Sequence, residues 1–90
     1  DNGLRAILED NMLVYPNPIS TSSKEFFVSN TAETSSFSLY DISGRFIENL
    51  EKEFNESTKI STLKISYSIL TGIYILKVGS QTRKIAVINK

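Results

Sequence analysis

Apolar and polar positions alternate in short runs along most of the chain, most clearly in Leu70-Thr-Gly-Ile-Tyr-Ile-Leu-Lys-Val78. After Gly72, Tyr74, Leu76 and Val78 fall on one side and Ile73, Ile75 and Lys77 on the other. Successive side chains of a strand point to opposite faces, so this run is a strand with one apolar and one mixed face. The mixed face still carries Ile73 and Ile75, which predicts a central strand with a neighbour on each edge. Gly72 opens the strand where a turn releases the chain, and positive φ costs glycine nothing there.

The same period of two recurs in both directions. A first strand spans residues 12–15 and stops at Pro16-Asn17-Pro18, because proline has no N–H for a ladder. Each residue before a proline is held extended, so the stretch reads as a rigid corner. Residues 20–24 read as a polar turn, and 25–29 as a second strand with Phe26 and Val28 on one face. A hairpin loop over 30–35 leads to a third strand, 37–41, with Phe37 and Leu39 inward. Asp41-Ile-Ser-Gly44 has the composition of a type I turn, with an acceptor at its first position and glycine at its last. The return arm, 45–50, has Ile47 as its expected inward residue, and the charged stretch 51–57 reads as an exposed connection. Residues 58–66 alternate with a slip at Ser61-Thr62 that suggests a bulge. Residues 67–71 cross into the central strand, 79–81 form a tight turn, and 82–88 are the last strand.

Seven short strands with turn signals at regular spacing predict an all-β fold, an antiparallel β-sandwich of immunoglobulin-like type. Its expected core contains Phe37, Leu39, Ile47, Tyr74, Leu76, Val78, Ile85 and Val87. Ninety residues suit one such domain with a modest core. Residues 1–11 read as a linker ahead of a domain spanning 12–90. The start at Asp1, with neither an initiator methionine nor an apolar leader, suggests a piece of a longer protein.

Ten acidic and ten basic residues balance, so no global charge draws the chain to nucleic acid. No apolar run approaches the length of a membrane span, and direct membrane insertion is not expected. The balance hides a gradient, since residues 1–56 hold all ten acids and four bases, and 57–90 hold six bases and no acid. Acidic and basic strands could lie side by side and pair, or the C-terminal part could offer a basic face to a partner.

Chemistry for catalysis is missing. The chain has no cysteine or histidine, and its four glycines are scattered, so thiolate metal sites, triads and phosphate loops are excluded. Glu51 and Glu53 lie in a polar stretch with nothing apolar to raise a carboxyl pKa. Asp41 has no second carboxylate near it and is read as a turn residue rather than a calcium ligand. Asn55-Glu-Ser57 matches a glycosylation sequon, which carries weight only in a eukaryotic host. No enzyme activity, cofactor or metal is expected, and function is expected to lie in surface recognition.

Four segments in order resemble one family. Val14-Tyr-Pro-Asn-Pro18 resembles the opening motif of the type A C-terminal sorting domain of type IX (Por) secretion substrates. Phe37-Ser-Leu-Tyr-Asp-Ile-Ser-Gly-Arg45 is similar to that family's Tyr-Asp-x-x-Gly hairpin. Ile69 to Val78 resembles its Leu-x-x-Gly-x-Tyr segment, with Ile69 where leucine is usual. Arg83 to Lys90 resembles its last strand, with lysines at Lys84 and Lys90. The resemblance implies a compact sandwich at the end of a larger exported cargo, which crosses the inner membrane by a separate N-terminal signal. In the periplasm of a Gram-negative bacterium the folded domain would be the address for an outer-membrane translocon. A sortase-like peptidase would then remove it, leaving the cargo secreted or on the cell surface. The implied partners are that translocon, the sortase-like machinery and the upstream cargo in cis.

Candidate recognition residues are Pro16, Asn17, Pro18, Arg83, Lys84 and Lys90; Asp41, Gly44, Gly72 and Tyr74 are expected to serve the fold. The alternative is an adhesion or carbohydrate-binding sandwich module, which predicts an exposed aromatic platform drawn from Tyr15, Tyr40 and Tyr67. A third reading is an inert spacer domain.

Overall fold

A computed structural model describes residues 12–65 and 69–89, all β and without helix. Among the described residues nine strands, not seven, form two sheets: β1 (Val14–Tyr15), β2 (Ile19–Ser20), β3 (Glu25–Val28), β4 (Phe37–Asp41), β5 (Phe46–Leu50), β6 (Lys52–Asn55), β7 (Ile60–Lys64), β8 (Gly72–Val78) and β9 (Gln81–Ile88). One sheet has the order β1-β3-β7-β6 and the other β2-β9-β8-β4-β5. The sandwich and the central position of β8 are borne out.

The two extra strands explain the miscount. β2 has two residues, too few to show a period; the polar turn expected from Ser20 takes one of them and Ile19 falls in no expected element. β6 occupies the charged stretch read as a connection, at one edge of the four-stranded sheet. Nor is the fold wholly antiparallel, because β2 runs parallel to β9 with Ile19 opposite Val87. Residues 30–35 are not a hairpin loop either, for they cross from β3 in one sheet to β4 in the other.

Phe26, Val28, Leu63 and Ile65 meet Ile19, Phe37, Leu39, Leu76, Ile85 and Val87 in the buried layer between the sheets. Tyr74 and Ile47 only lean on this core, half-buried. For Ile47 the cause is a bulge: Leu39 pairs with Glu48 and Tyr40 with Phe46, leaving Ile47 out of register, and Leu50 opposite Phe37 is the buried residue of β5. The bulge expected at Ser61-Thr62 is absent, and β7 pairs without slip to β3 and β6. Ser61 itself points inward in phase with Leu63, fully buried, and shares a 2.7 Å hydrogen bond with the Thr31 hydroxyl. The Thr31 hydroxyl donates in turn to the Lys59 carbonyl at 3.2 Å, so Ser61 donates to Thr31 and a polar residue sits on an apolar face at little cost.

Candidate functional site

Pro16-Asn17-Pro18 carries the chain from β1 in one sheet to β2 in the other. Both peptide bonds preceding its prolines are cis, and all three residues are exposed. Asn17 has a partner that no local pattern indicates: its Oδ1 accepts a 2.9 Å hydrogen bond from the Ala86 amide of β9. Next along, β2 pairs with Val87 and Ile88, and the Thr21 amide donates to the Ile88 carbonyl at 2.8 Å. The Thr21 hydroxyl then donates to Asn89 Oδ1 at 3.2 Å. The first and last of the four segments therefore form one structure, with the corner clamping the end of β9. An acceptor side chain enclosed by two residues that lack donors was the available signal.

The terminal segment is not the edge strand that strand addition requires, since β9 lies between β2 and β8. β2 covers only Val87 and Ile88, so among the described residues no strand pairs with the outer edge of Gln81–Ile85. Arg83 and Lys84 do not form one cluster. Lys84 is exposed beside Ile75 on the outer face, whereas Arg83 lies in the register of Leu76 and donates to the Thr82 carbonyl and Gln81 Oε1. Lys90 and Tyr67 lie outside the described residues.

The Asp41–Gly44 turn has the predicted form. Gly44 N–H donates to the Asp41 carbonyl at 2.9 Å, Asp41 N–H donates to Arg45, and Gly44 takes φ of +94°. Asp41 Oδ1 accepts from the Ser43 hydroxyl at 2.6 Å, the Ser43 amide at 3.0 Å and the Arg45 amide at 2.9 Å. The Ser43 hydroxyl above all, with the Arg45 amide next, holds the Asp41 carboxyl below the usual carboxylate range. Arg45 Nε, 3.7 Å from Oδ2, adds little at a surface site.

The segment before β8 closes on itself, because the Tyr74 hydroxyl donates to the Leu70 carbonyl at 2.7 Å. Gly72 lies under that ring with φ of +154°, and a Cβ there would sit 3.8 Å from Tyr74 Cε1. Asp41, Gly44, Gly72 and Tyr74 all lie at one end of the β4–β8 pair.

The aromatic pairs are split between the outer faces. Tyr15 and Phe27 tilt together at 5.5 Å on the four-stranded sheet, and Tyr40 meets Phe46 edge-on at 5.7 Å on the other. Among the described residues no group of acids could hold a metal ion.

In structure the chain is similar to a thermostable endoglucanase from Alicyclobacillus acidocaldarius, with a TM-score of 0.66 and 16% identity. The likeness covers 84% of this chain and 15% of that one, and it speaks for the fold alone. No curated protein matches the sequence. Residues 13–89 match the family model of the secretion system C-terminal sorting domain, nearly the whole chain and all four segments described above but for the final Lys90. The chain belongs to the type IX secretion C-terminal sorting domain family.

Proposed function

We propose that residues 12–90 are the folded address that takes an upstream cargo from the periplasm through the outer-membrane type IX translocon. Residues 1–11 link it to that cargo, and a sortase-like peptidase cuts there or further upstream after transit. The cargo is then secreted or held at the surface of a Gram-negative bacterium. The family match over residues 13–89 carries this reading. Its physical support is the clamp between Asn17 and Ala86, which joins the opening corner and last strand into one local shape. A receptor that serves many cargoes needs a shape independent of each cargo, and a small sandwich provides one. Pro16, Asn17, Pro18, Arg83, Lys84 and Lys90 are the candidate contacts on this reading. The split of the aromatic pairs between two faces speaks against a carbohydrate platform.

Fusing residues 1–90 to a periplasmic reporter in a type IX-competent bacterium tests the proposal. The reporter is expected in the medium or at the surface, shortened by loss of the domain. Retention in the periplasm of a folded fusion rejects the reading, and delivery without shortening rejects only the peptidase step.

A further inference from the structure

The outer faces of the two sheets differ in chemistry. On the four-stranded sheet the outward positions include Glu25 opposite Lys64 and Glu53 opposite Thr62, a mixed surface. On the five-stranded sheet one row runs across four strands in register: Phe46 beside Tyr40, Tyr40 beside Ile75, Ile75 beside Lys84. Ile73 extends the apolar area along β8, and Lys77 flanks it at the next outward position. Phe46 is 51% exposed and Ile73 46%, with Tyr40 and Ile75 half-buried between them. By register, the outward positions of these strands hold Lys77 and Lys84 and no carboxylate. An antiparallel sheet that faces only water alternates apolar inward and polar outward, and this face breaks that rule in its centre.

We infer that the outer face of the five-stranded sheet is a docking surface for a folded protein of the export machinery, one with an apolar centre and carboxylates at its rim. The inference rests on the sorting role proposed above. Aromatic and aliphatic side chains held in register at the centre, with charge at the border, have the anatomy of a protein interface. The charge is of one sign, and that sets the partner's rim as acidic. A second copy fits poorly, because a twofold contact sets this face against itself and it has no carboxylate at its outward strand positions to meet the lysines. An anionic bilayer also fits poorly, since two lysines are few for a surface held by charge.

The test uses the 90-residue chain fused to the reporter, with Phe46→Ser, Ile73→Thr and Lys77→Glu made singly. None of these lies in the terminal strand, so they separate this face from recognition of β9. Phe27→Ser and Lys64→Glu on the other sheet are the controls. Each face variant is expected to lower delivery by about tenfold, as loss of an interface anchor does, with cargo accumulating in the periplasm. Controls are expected to deliver within about twofold of the parent, as changes outside an interface do. Lys77 is exposed and makes the decisive variant if Phe46→Ser unfolds the domain. Delivery of Lys77→Glu and Ile73→Thr at the parent level overturns the docking face and leaves the sorting role standing. A parent fusion that is not delivered removes the sorting role, and this inference with it. A dimer of the purified chain, or flotation with phosphatidylglycerol vesicles, that Ile73→Thr abolishes assigns the face to another occupant and overturns the inference.

Discussion

Asp41 gathers three donors on one carboxylate oxygen, and this fixes the turn between β4 and β5. Its depressed pKa gives the contribution a sign. A carboxylate bound more tightly in the folded state stabilises above its unfolded pKa, and the effect is lost as pH falls through the folded value. The stability gap between the parent and Asp41→Asn, measured by thermal melts, is therefore expected to narrow as pH drops below the usual carboxylate range. A constant gap down to strong acid removes the carboxylate from the account. Gly44 isolates a different effect, because a Cβ there meets no atom within 4 Å and only the backbone resists it. Gly72 is similar, since the Tyr74 ring carbon stands at ordinary contact distance. Gly44→Ala and Gly72→Ala are each expected to cost about 1 kcal/mol or more. In a domain of this size that lowers the melting midpoint by roughly 4–8 °C per kcal/mol. Unchanged midpoints would show that neither φ is needed.

Among the elements, those with four or more residues and one buried face were legible, because burial imposes the period that was read. β4, β8 and β9 show this most plainly, and six of the eight expected core residues, Phe37, Leu39, Leu76, Val78, Ile85 and Val87, are buried. β6 was hidden because it lies at an edge, where Phe54 is half-buried and the rest is polar. β7 was legible as a strand but with a bulge it lacks, because Ser61 interrupts the apolar phase and its partner Thr31 lies 30 residues away. β2 and the Asn17 clamp exist only through pairing with β9, which no local window contains. The clamp yields a test at this scale. Asn17→Ala is expected to speed hydrogen exchange at the Ala86 amide selectively, with a stability loss of about 0.5–1.5 kcal/mol. Equal protection of Ala86 in both proteins would show that the bond is dispensable.

Across the whole molecule the charge gradient along the chain becomes a difference between surfaces. Glu25 stands opposite Lys64 in the register of β3 and β7. Lys77 and Lys84 take outward register positions of the five-stranded sheet, whose outward strand positions hold no carboxylate. Replacing both Pro16 and Pro18 by alanine tests the corner as a contact. Export is expected to fall by more than the loss of folded domain explains, and a fall in proportion assigns the corner to stiffening alone. The parallel pairing of β2 with β9 has a separate consequence for when the fold can exist. Ile19 is buried against a strand that begins at Gln81, and β8 keeps one flank bare until that strand is in place. A nascent or broken chain that stops short of Ile88 cannot close the five-stranded sheet. Protease resistance in chains ended at residues 80, 85 and 89 is expected to appear only with the longest. On the sorting role proposed above, a transporter that accepted only the closed sandwich would reject incomplete translation products without inspecting the cargo, the shape certifying that synthesis reached the last strand.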